Sequence, residues 1–111
     1  MVSLVEKYTY QTFWSAEDEE FVSTVLEFPS LSWLGESSSA AETGLRQVVS
    51  EVISDMEKSG EPVPEPYGER EYSGRFNLRI PSSLHRRLAM AAEREGVSLN
   101  AYVAQKLATV E

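Results

Sequence analysis

The chain has 111 residues, of which 41% are hydrophobic and 25% charged, so it suits one ordinary domain or two very small ones and is not expected to be disordered throughout. It contains no cysteine, which excludes disulfides and thiolate metal sites. No apolar run approaches the roughly 18 residues of a membrane span and no secretory signal is visible, so we expect a cytoplasmic protein without a cofactor.

The net charge of −8 is divided unevenly along the chain. Residues 1–69 carry 14 acidic side chains against three basic ones, a net charge of −11, whereas residues 70–111 carry seven basic against four acidic ones, a net charge of +3. A basic segment attracts phosphate, and an acidic one suits a basic protein partner. The sequence therefore predicts two units with different tasks.

The N-terminal unit begins with segments rich in aromatic and β-branched residues, which predict strands at 7–14, 21–28 and 31–34. In the second of these, the even positions Val22, Leu26 and Phe28 are expected to share one face. The charged stretch between the first two strands is too polar to bury and is typical of a hairpin connection.

A helix is predicted to follow. Ser39 and Glu42 have the spacing of a capping box, Lys58 suits a last turn, and Gly60 suits a left-handed cap. Its apolar stripe consists of Leu45, Val48, Val49, Val52, Ile53 and Met56. Because this stripe must pack on the sheet, residues 1–60 are predicted to be a βββα layer of the α+β class.

Residues 61–72 are predicted to be a linker. The segment from Gly60 to Glu69 contains three of the five prolines, which cannot donate to a ladder and favour an extended backbone. It is expected to be a semi-rigid spacer before a second unit at 73–111.

The second unit begins with an alternating segment, 73–81. Phe76, Leu78 and Ile80 fall on one face, and Arg75, Asn77 and Arg79 fall on the other. Two short helices are predicted after Pro81, separated by Gly96 and with Ser98 as the second N-cap. Their apolar positions include Leu84, Leu88, Leu99, Val103 and Leu107.

A single strand with two helices leaves its ladder hydrogen bonds unmade and cannot bury enough apolar surface alone. We therefore expect a homodimer or higher homo-oligomer in which two strands pair around a core of Phe76, Leu78, Ile80, Leu84, Leu88, Leu99, Val103 and Leu107. The other face becomes a two-stranded ribbon that fits the major groove of DNA, where arginine reads guanine and asparagine reads adenine. The predicted DNA contacts are Arg75, Asn77 and Arg79 with bases, and Ser98 and Asn100 with phosphate.

The segment 76–81 and the turn 95–100 closely resemble the ribbon-helix-helix repressors of the Arc/CopG/MetJ group. Gly60 to Pro66 and Tyr72 to Pro81 resemble two segments of the HicB antitoxins that carry a ribbon-helix-helix tail. Nearly the whole chain is similar to these antitoxins. The resemblance implies that the N-terminal unit has a partial RNase H-like fold and covers a small basic HicA ribonuclease toxin, and that the tail represses the shared operon.

Other interpretations remain open from the residues alone. The arginine face of 73–81 is compatible with the solvated side of an ordinary sheet. Four hairpin acids and one tryptophan are candidates for toxin contact: Glu17, Asp18, Glu19, Glu20 and Trp33. Alternatively, the acids are only solvated surface and the tryptophan is only an apolar side chain of the sheet. The alternative function is a stand-alone ribbon-helix-helix regulator whose N-terminal unit senses a ligand or adds oligomer contacts. No strand-borne aspartate accompanies the acids, so we expect neither an enzyme nor a metal site.

Overall fold

The computed structural model describes residues 1–110, and the chain divides into two compact units, Met1–Tyr72 and a second that starts at Ser73. The first contains α1 (Leu4–Lys7), β1 (Tyr10–Ser15), β2 (Glu20–Val25), β3 (Ser32–Gly35), α2 (Ser38–Ser59) and a 3₁₀ helix (Tyr67–Glu69). The second contains α3 (Ser82–Glu95) and α4 (Leu99–Leu107). The predicted α+β class is confirmed.

The three strands form one antiparallel sheet in the order β1-β2-β3. Tyr10 lies opposite Val25 at one end of the first hairpin, and Ser15 lies opposite Glu20 at its tip. In the second pair, Phe21 lies opposite Gly35. The helix α2 covers one face of this sheet, because its apolar stripe and the strands exclude water from each other.

The core of the first unit joins the sheet to α2. Its buried side chains are Tyr8, Val25, Leu45, Val49 and Ile53, and the predicted helix stripe supplies the last three. Six half-buried residues pack around them: Leu4, Val5, Tyr10, Phe28, Leu31 and Val63. Ser23 is fully buried beneath α2, where its hydroxyl lies 3.0 Å from that of Thr12. A small hydrogen-bonded residue at this position satisfies its polar group without help from water.

The prediction that Val22, Leu26 and Phe28 share one face of β2 is wrong. The odd positions Ser23 and Val25 face the helix and are buried, the strand ends at Val25, and Leu26 is 56% exposed. Phe28 lies beyond the strand and packs edge-on against Tyr8. Apolar residues occupy both odd and even positions between 21 and 28, so alternation alone could not choose the face.

The predicted start of α2 is also wrong, whereas its end is as predicted. The N-cap is Ser37, whose hydroxyl accepts a hydrogen bond of 3.0 Å from the Ala40 amide. Glu42 binds Arg46 one turn later at 2.8 Å instead of returning to the cap. Gly60 adopts a left-handed conformation with φ of 75° and caps the helix. The short helix α1, which precedes the sheet, is not among the predicted elements.

The proline-rich segment packs on the first unit instead of standing free as a spacer. Val63 contacts the core, and the Pro64 carbonyl accepts a hydrogen bond of 2.8 Å from the Tyr8 hydroxyl. Lys7 forms an ion pair with Glu69 at 2.7 Å, and the Arg70 guanidinium lies 3.7 Å from the centre of the Tyr67 ring. Apolar proline and valine side chains explain this packing, which a polar linker could not achieve.

The second unit consists of two helices and an extended segment. In the described residues 73–110, the predicted strand at 73–81 pairs with no other strand, and only Ala92 is fully buried. A strand needs a partner for its backbone groups, and one copy of this sequence offers none. Among residues 1–110, no helix has the length and apolar character that crossing a membrane requires.

Candidate nucleic-acid interface

The turn between α3 and α4 is built by two residues that suit its geometry. Gly96 has φ of 71°, a left-handed conformation that glycine adopts without steric cost, and its amide donates to the Glu93 carbonyl. The Val97 amide donates to the Ala92 carbonyl at 3.1 Å, which completes a Schellman motif. Ser98 then caps α4 by accepting a hydrogen bond of 3.0 Å from the Ala101 amide.

An open apolar groove of about 590 Å³ runs along the second unit. Seven of the eight predicted dimer-core residues line it: Phe76, Leu78, Ile80, Leu88, Leu99, Val103 and Leu107. Phe76 is 74% exposed and Leu78 is 58% exposed, although both are large apolar side chains. An apolar groove of this kind, lined from the extended segment and both helices, is a surface that water solvates poorly.

The eighth predicted core residue, Leu84, lies elsewhere. It lines a second, smaller groove between α3 and α4 together with Met90 and Tyr102. Arg87 and Arg94 also line that groove. The structure therefore brings seven of the predicted core residues to one groove and places Leu84 at its neighbour.

The predicted base-reading side chains are all exposed. Arg75, Asn77 and Arg79 alternate with the apolar residues of the groove, as the sequence pattern requires. Arg75 also reaches the rim of the groove, and its amide donates to the Ser73 hydroxyl at 3.1 Å. Gly74, with φ of 81°, forms the bend between them. The extended segment proper therefore starts at about Arg75.

The N-terminus of α4 carries the two predicted phosphate contacts. The Ser98 hydroxyl is engaged as the helix cap, so its own contribution to a phosphate site would come through the turn it fixes. The amides of Leu99 and Asn100 lie in the first turn, where a helix has no internal acceptor for them. Such amides and the positive end of the helix dipole favour an anion.

The candidate toxin contacts lie on the first unit and do not form one cluster with Trp33. Glu17, Asp18 and Glu19 occupy the β1–β2 turn and Glu20 begins β2; within residues 1–110 none of the four forms an ion pair. Asp18 accepts a hydrogen bond of 2.9 Å from the Ser15 hydroxyl, which orders the turn. Trp33 lies on the side of the sheet that α2 covers, and its indole ring packs against Gly44 of that helix. A Cβ added at Gly44 would overlap the indole ring.

Sequence reasoning missed a second surface on the same unit. The side of the sheet opposite α2, called the open face below, carries Phe13, Val22 and Leu34 directly opposite one another on the three strands. Phe13 is 44% exposed and Leu34 is 46% exposed. The signal for this row lay in the register of the strands, which the sequence pattern alone did not give.

A buried carboxylate was missed as well. Glu27 is only 7% exposed and accepts hydrogen bonds from the Thr9 amide at 2.9 Å, the Thr9 hydroxyl at 3.1 Å and the Tyr67 amide at 2.9 Å. Burial acts to raise the pKa of Glu27, but these hydrogen bonds outweigh it and leave the pKa below its usual value. Glu27 thereby ties the start of the sheet to the proline-rich segment.

The described residues contain no group of three or more histidine, cysteine, aspartate or glutamate side chains placed to hold a metal ion. His85 lines the apolar groove of the second unit. The carboxylates of Glu51 and Asp55 are exposed on α2.

The chain was compared with known proteins. No curated protein and no solved structure matches it. Residues 57–107, which run from the last turn of α2 to the end of α4, match the model of the HicB family. This match contains the proline-rich segment, the extended segment and both helices of the second unit. Over that range the chain is similar to the HicB family, and this similarity supports a HicB-type antitoxin, a protein of toxin–antitoxin systems.

Proposed function

We propose that the protein is an antitoxin that neutralises a HicA-type ribonuclease with its first unit and represses its own operon with its second. In this proposal, the βββα layer is a partial RNase H-like fold and the second unit is a ribbon-helix-helix module. The observation that carries the proposal is the coincidence, within the range similar to the HicB family, of an unpaired extended segment with an apolar groove.

A second copy of the chain is the partner that would complete the groove. Two segments at 75–80 pair antiparallel and supply each other with the backbone hydrogen bonds that one copy lacks. Phe76, Leu78 and Val103 of each copy then leave water together. Because an antiparallel pair is symmetric, the same groove serves both copies, as a closed twofold dimer requires.

Pairing of the segments would place six polar side chains on one ribbon. In the paired form, Arg75, Asn77 and Arg79 of each copy lie on the face opposite the apolar core and can enter the major groove of DNA, although Arg75 of one copy also reaches the rim of the groove. The first turn of α4 meets the flanking phosphate. The net charge of +3 over residues 70–111 favours this approach and makes it dependent on salt.

The first unit suits a basic protein and not a nucleic acid. Residues 1–69 have a net charge of −11, and the hairpin acids have no cationic partner in the described part of the unit. An acidic surface competes with RNA for the basic face of a ribonuclease. We infer no catalysis by this chain, because a two-metal nuclease needs carboxylates that converge from separate elements, whereas Glu17, Asp18 and Glu19 lie on the hairpin turn and Glu51 and Asp55 are exposed on α2.

The toxin arm is tested by co-expression with the short basic reading frame next to this gene. We expect the tagged full chain to co-purify with that product and to suppress its ribonuclease activity. A chain without such a neighbour, or one that leaves the nuclease active, is not an antitoxin; operator binding without a partner would instead support the stand-alone regulator.

The DNA arm is tested with the promoter DNA upstream of the same gene. We expect Arg79→Ala to weaken binding by about 1–3 kcal/mol and to relax specificity at one base of each half-site. Lys58→Ala, which removes the same charge from the last turn of α2, is the matched control and should leave affinity unchanged. Affinity that does not fall as salt is raised would contradict the proposal, since phosphate neutralisation releases counterions.

A further inference from the structure

The open face is an exposed surface of the first unit that α2 does not cover. The register places Phe13, Val22 and Leu34 in one row across all three strands, perpendicular to their direction. Two of these side chains are close to half exposed. A sheet face that serves no partner is normally polar, so an apolar row here calls for a covering surface.

The charges around the row indicate the chemistry of that partner. The strand residues that share the open face, all within the described part of the chain, are Gln11, Phe13, Ser15, Glu20, Val22, Thr24, Ser32 and Leu34, and Glu20 is the one charged residue among them. Glu20 is two residues from Val22 on the same strand, so its carboxylate borders the apolar row. The turn with Glu17, Asp18 and Glu19 lies at the same end of the hairpin.

The basic side chains of the first unit do not neutralise this end. Lys7 pairs with Glu69, Arg46 pairs with Glu42, and Arg70 stacks on Tyr67. The fourth basic residue, Lys58, lies in the last turn of α2. A second copy of the chain in a twofold contact would bring its own Glu20 to the same row, where like charges repel. A nucleic acid would meet the same repulsion.

We propose that the open face is a docking surface for a basic protein that places an apolar side chain on the row Phe13–Val22–Leu34 and surrounds it with lysine or arginine facing the hairpin acids. The contact has the usual arrangement of an interface, with an apolar centre and a charged rim. This inference rests on the proposed antitoxin function and assigns the toxin to this face of the sheet, not to the helix side that bears Trp33.

The experiment measures binding of the full chain to the purified product of the neighbouring basic reading frame. Phe13→Ser and Leu34→Ser each remove an anchor from the row, and we expect each to weaken binding by about 30-fold or more, as truncation of an interface hot spot does. Val2→Ser is the matched control, since Val2 is 56% exposed and lies before α1, and its affinity should equal that of the unchanged chain.

The charged rim is tested by a pair of double variants with the same change in net charge. Glu17→Lys with Glu20→Lys should slow association severalfold at low salt, and the difference should shrink as salt rises. Glu51→Lys with Glu57→Lys reverses two exposed charges on α2 instead, and should change the association rate less. Circular dichroism and melting of every variant exclude simple unfolding.

The outcomes separate this inference from the function on which it rests. Binding by the unchanged chain and by both anchor variants alike overturns the docking surface and leaves the antitoxin function intact. No binding by the unchanged chain overturns both. A change in oligomeric state of the anchor variants without the partner would assign the row to a second copy and overturn the proposal.

Discussion

Gly35 closes β3 three residues before α2 begins, and its missing side chain lets the two elements meet. A Cβ at this position would lie 2.5 Å from the Ala41 amide nitrogen, and that nitrogen belongs to a backbone that cannot rotate away. Gly68, in the 3₁₀ helix, has nothing within 4 Å of the same added atom. A side chain at Gly68 would therefore meet no other atom, whereas one at Gly35 would clash with α2.

Gly35→Ala is expected to destabilise the first unit by about 1–3 kcal/mol, because α2 must shift to admit the methyl group. Gly68→Ala is the control and should change the free energy of unfolding by less than about 1 kcal/mol. Urea unfolding followed by circular dichroism measures both. Equal stability of the two variants would show that α2 does not approach β3 as closely as described.

Glu27 provides a test that depends on pH. Its pKa is lowered in the folded state, so its contribution to stability is fully present above the unfolded pKa of about 4.5 and is lost as pH falls through the folded value. Glu27→Gln turns an acceptor into a donor opposite the Thr9 or Tyr67 amide, and should cost about 1–3 kcal/mol at neutral pH.

The difference in unfolding free energy between Glu27→Gln and the unchanged chain should therefore shrink as pH is lowered below about 4.5. Glu57→Gln, at an exposed position of α2, is the control and should show little difference at any pH. A difference that stays constant with pH would mean that the Glu27 carboxylate is not what the two amides require.

Among the elements, α2 and α4 differ in how their apolar faces are covered. The α2 stripe is buried against the sheet, with Leu45 and Val49 fully inaccessible to solvent. The α4 stripe is not: Val103 is half-buried, Leu107 is 49% exposed, and both line the open groove of the second unit. A helix with an uncovered stripe gains little from folding alone, so α4 needs another surface.

Val103→Asp should abolish the proposed self-association, because a carboxylate would be buried without a partner when two grooves meet. Gln105→Asp places the same group on the exposed side of α4 and should leave the oligomer intact. Sedimentation equilibrium measures the oligomeric state of the two full-length variants. An unchanged oligomer for Val103→Asp would move the self-association surface away from this groove.

At the scale of the whole molecule, the two units differ in how many side chains each one buries within a single copy of the chain. The buried cluster Tyr8, Val25, Leu45, Val49 and Ile53 lies wholly within Met1–Tyr72, and the proline-rich segment adds Val63 to it. The described part of the second unit buries only Ala92 completely. Division of the chain between Tyr72 and Ser73 should therefore give two fragments that behave differently.

The fragment 1–72 is expected to melt at a temperature independent of its concentration, as a folded monomer does. The fragment 73–111 should melt at a temperature that rises with concentration, because in the proposed dimer its folded state exists only in the associated form. Thermal melts over a 100-fold range of concentration measure this. A concentration-independent midpoint for 73–111 would remove the reason for proposing a dimer.

The sequence alone determined the features that depend on local chemistry and charge. The presence of three strands before α2 follows from aromatic and β-branched segments, whereas the end of α2 at Gly60, the turn at Gly96 and the cap at Ser98 follow from residues with narrow backbone or hydrogen-bonding preferences. The alternation of arginine with apolar residues after Gly74 was also visible. These signals act over a few residues, so no folded context is needed to detect them.

Tertiary structure decided what depends on a distant partner. Val25 faces α2 and Leu26 does not because the helix selects one side of a strand with apolar residues on both. The proline-rich segment lies on the first unit because Val63 packs against the core and because Glu27 accepts a hydrogen bond from the amide of Tyr67, 40 residues away. The row Phe13–Val22–Leu34 exists only through the register of three strands. Each of these contacts joins residues far apart along the chain, where local preference carries no information.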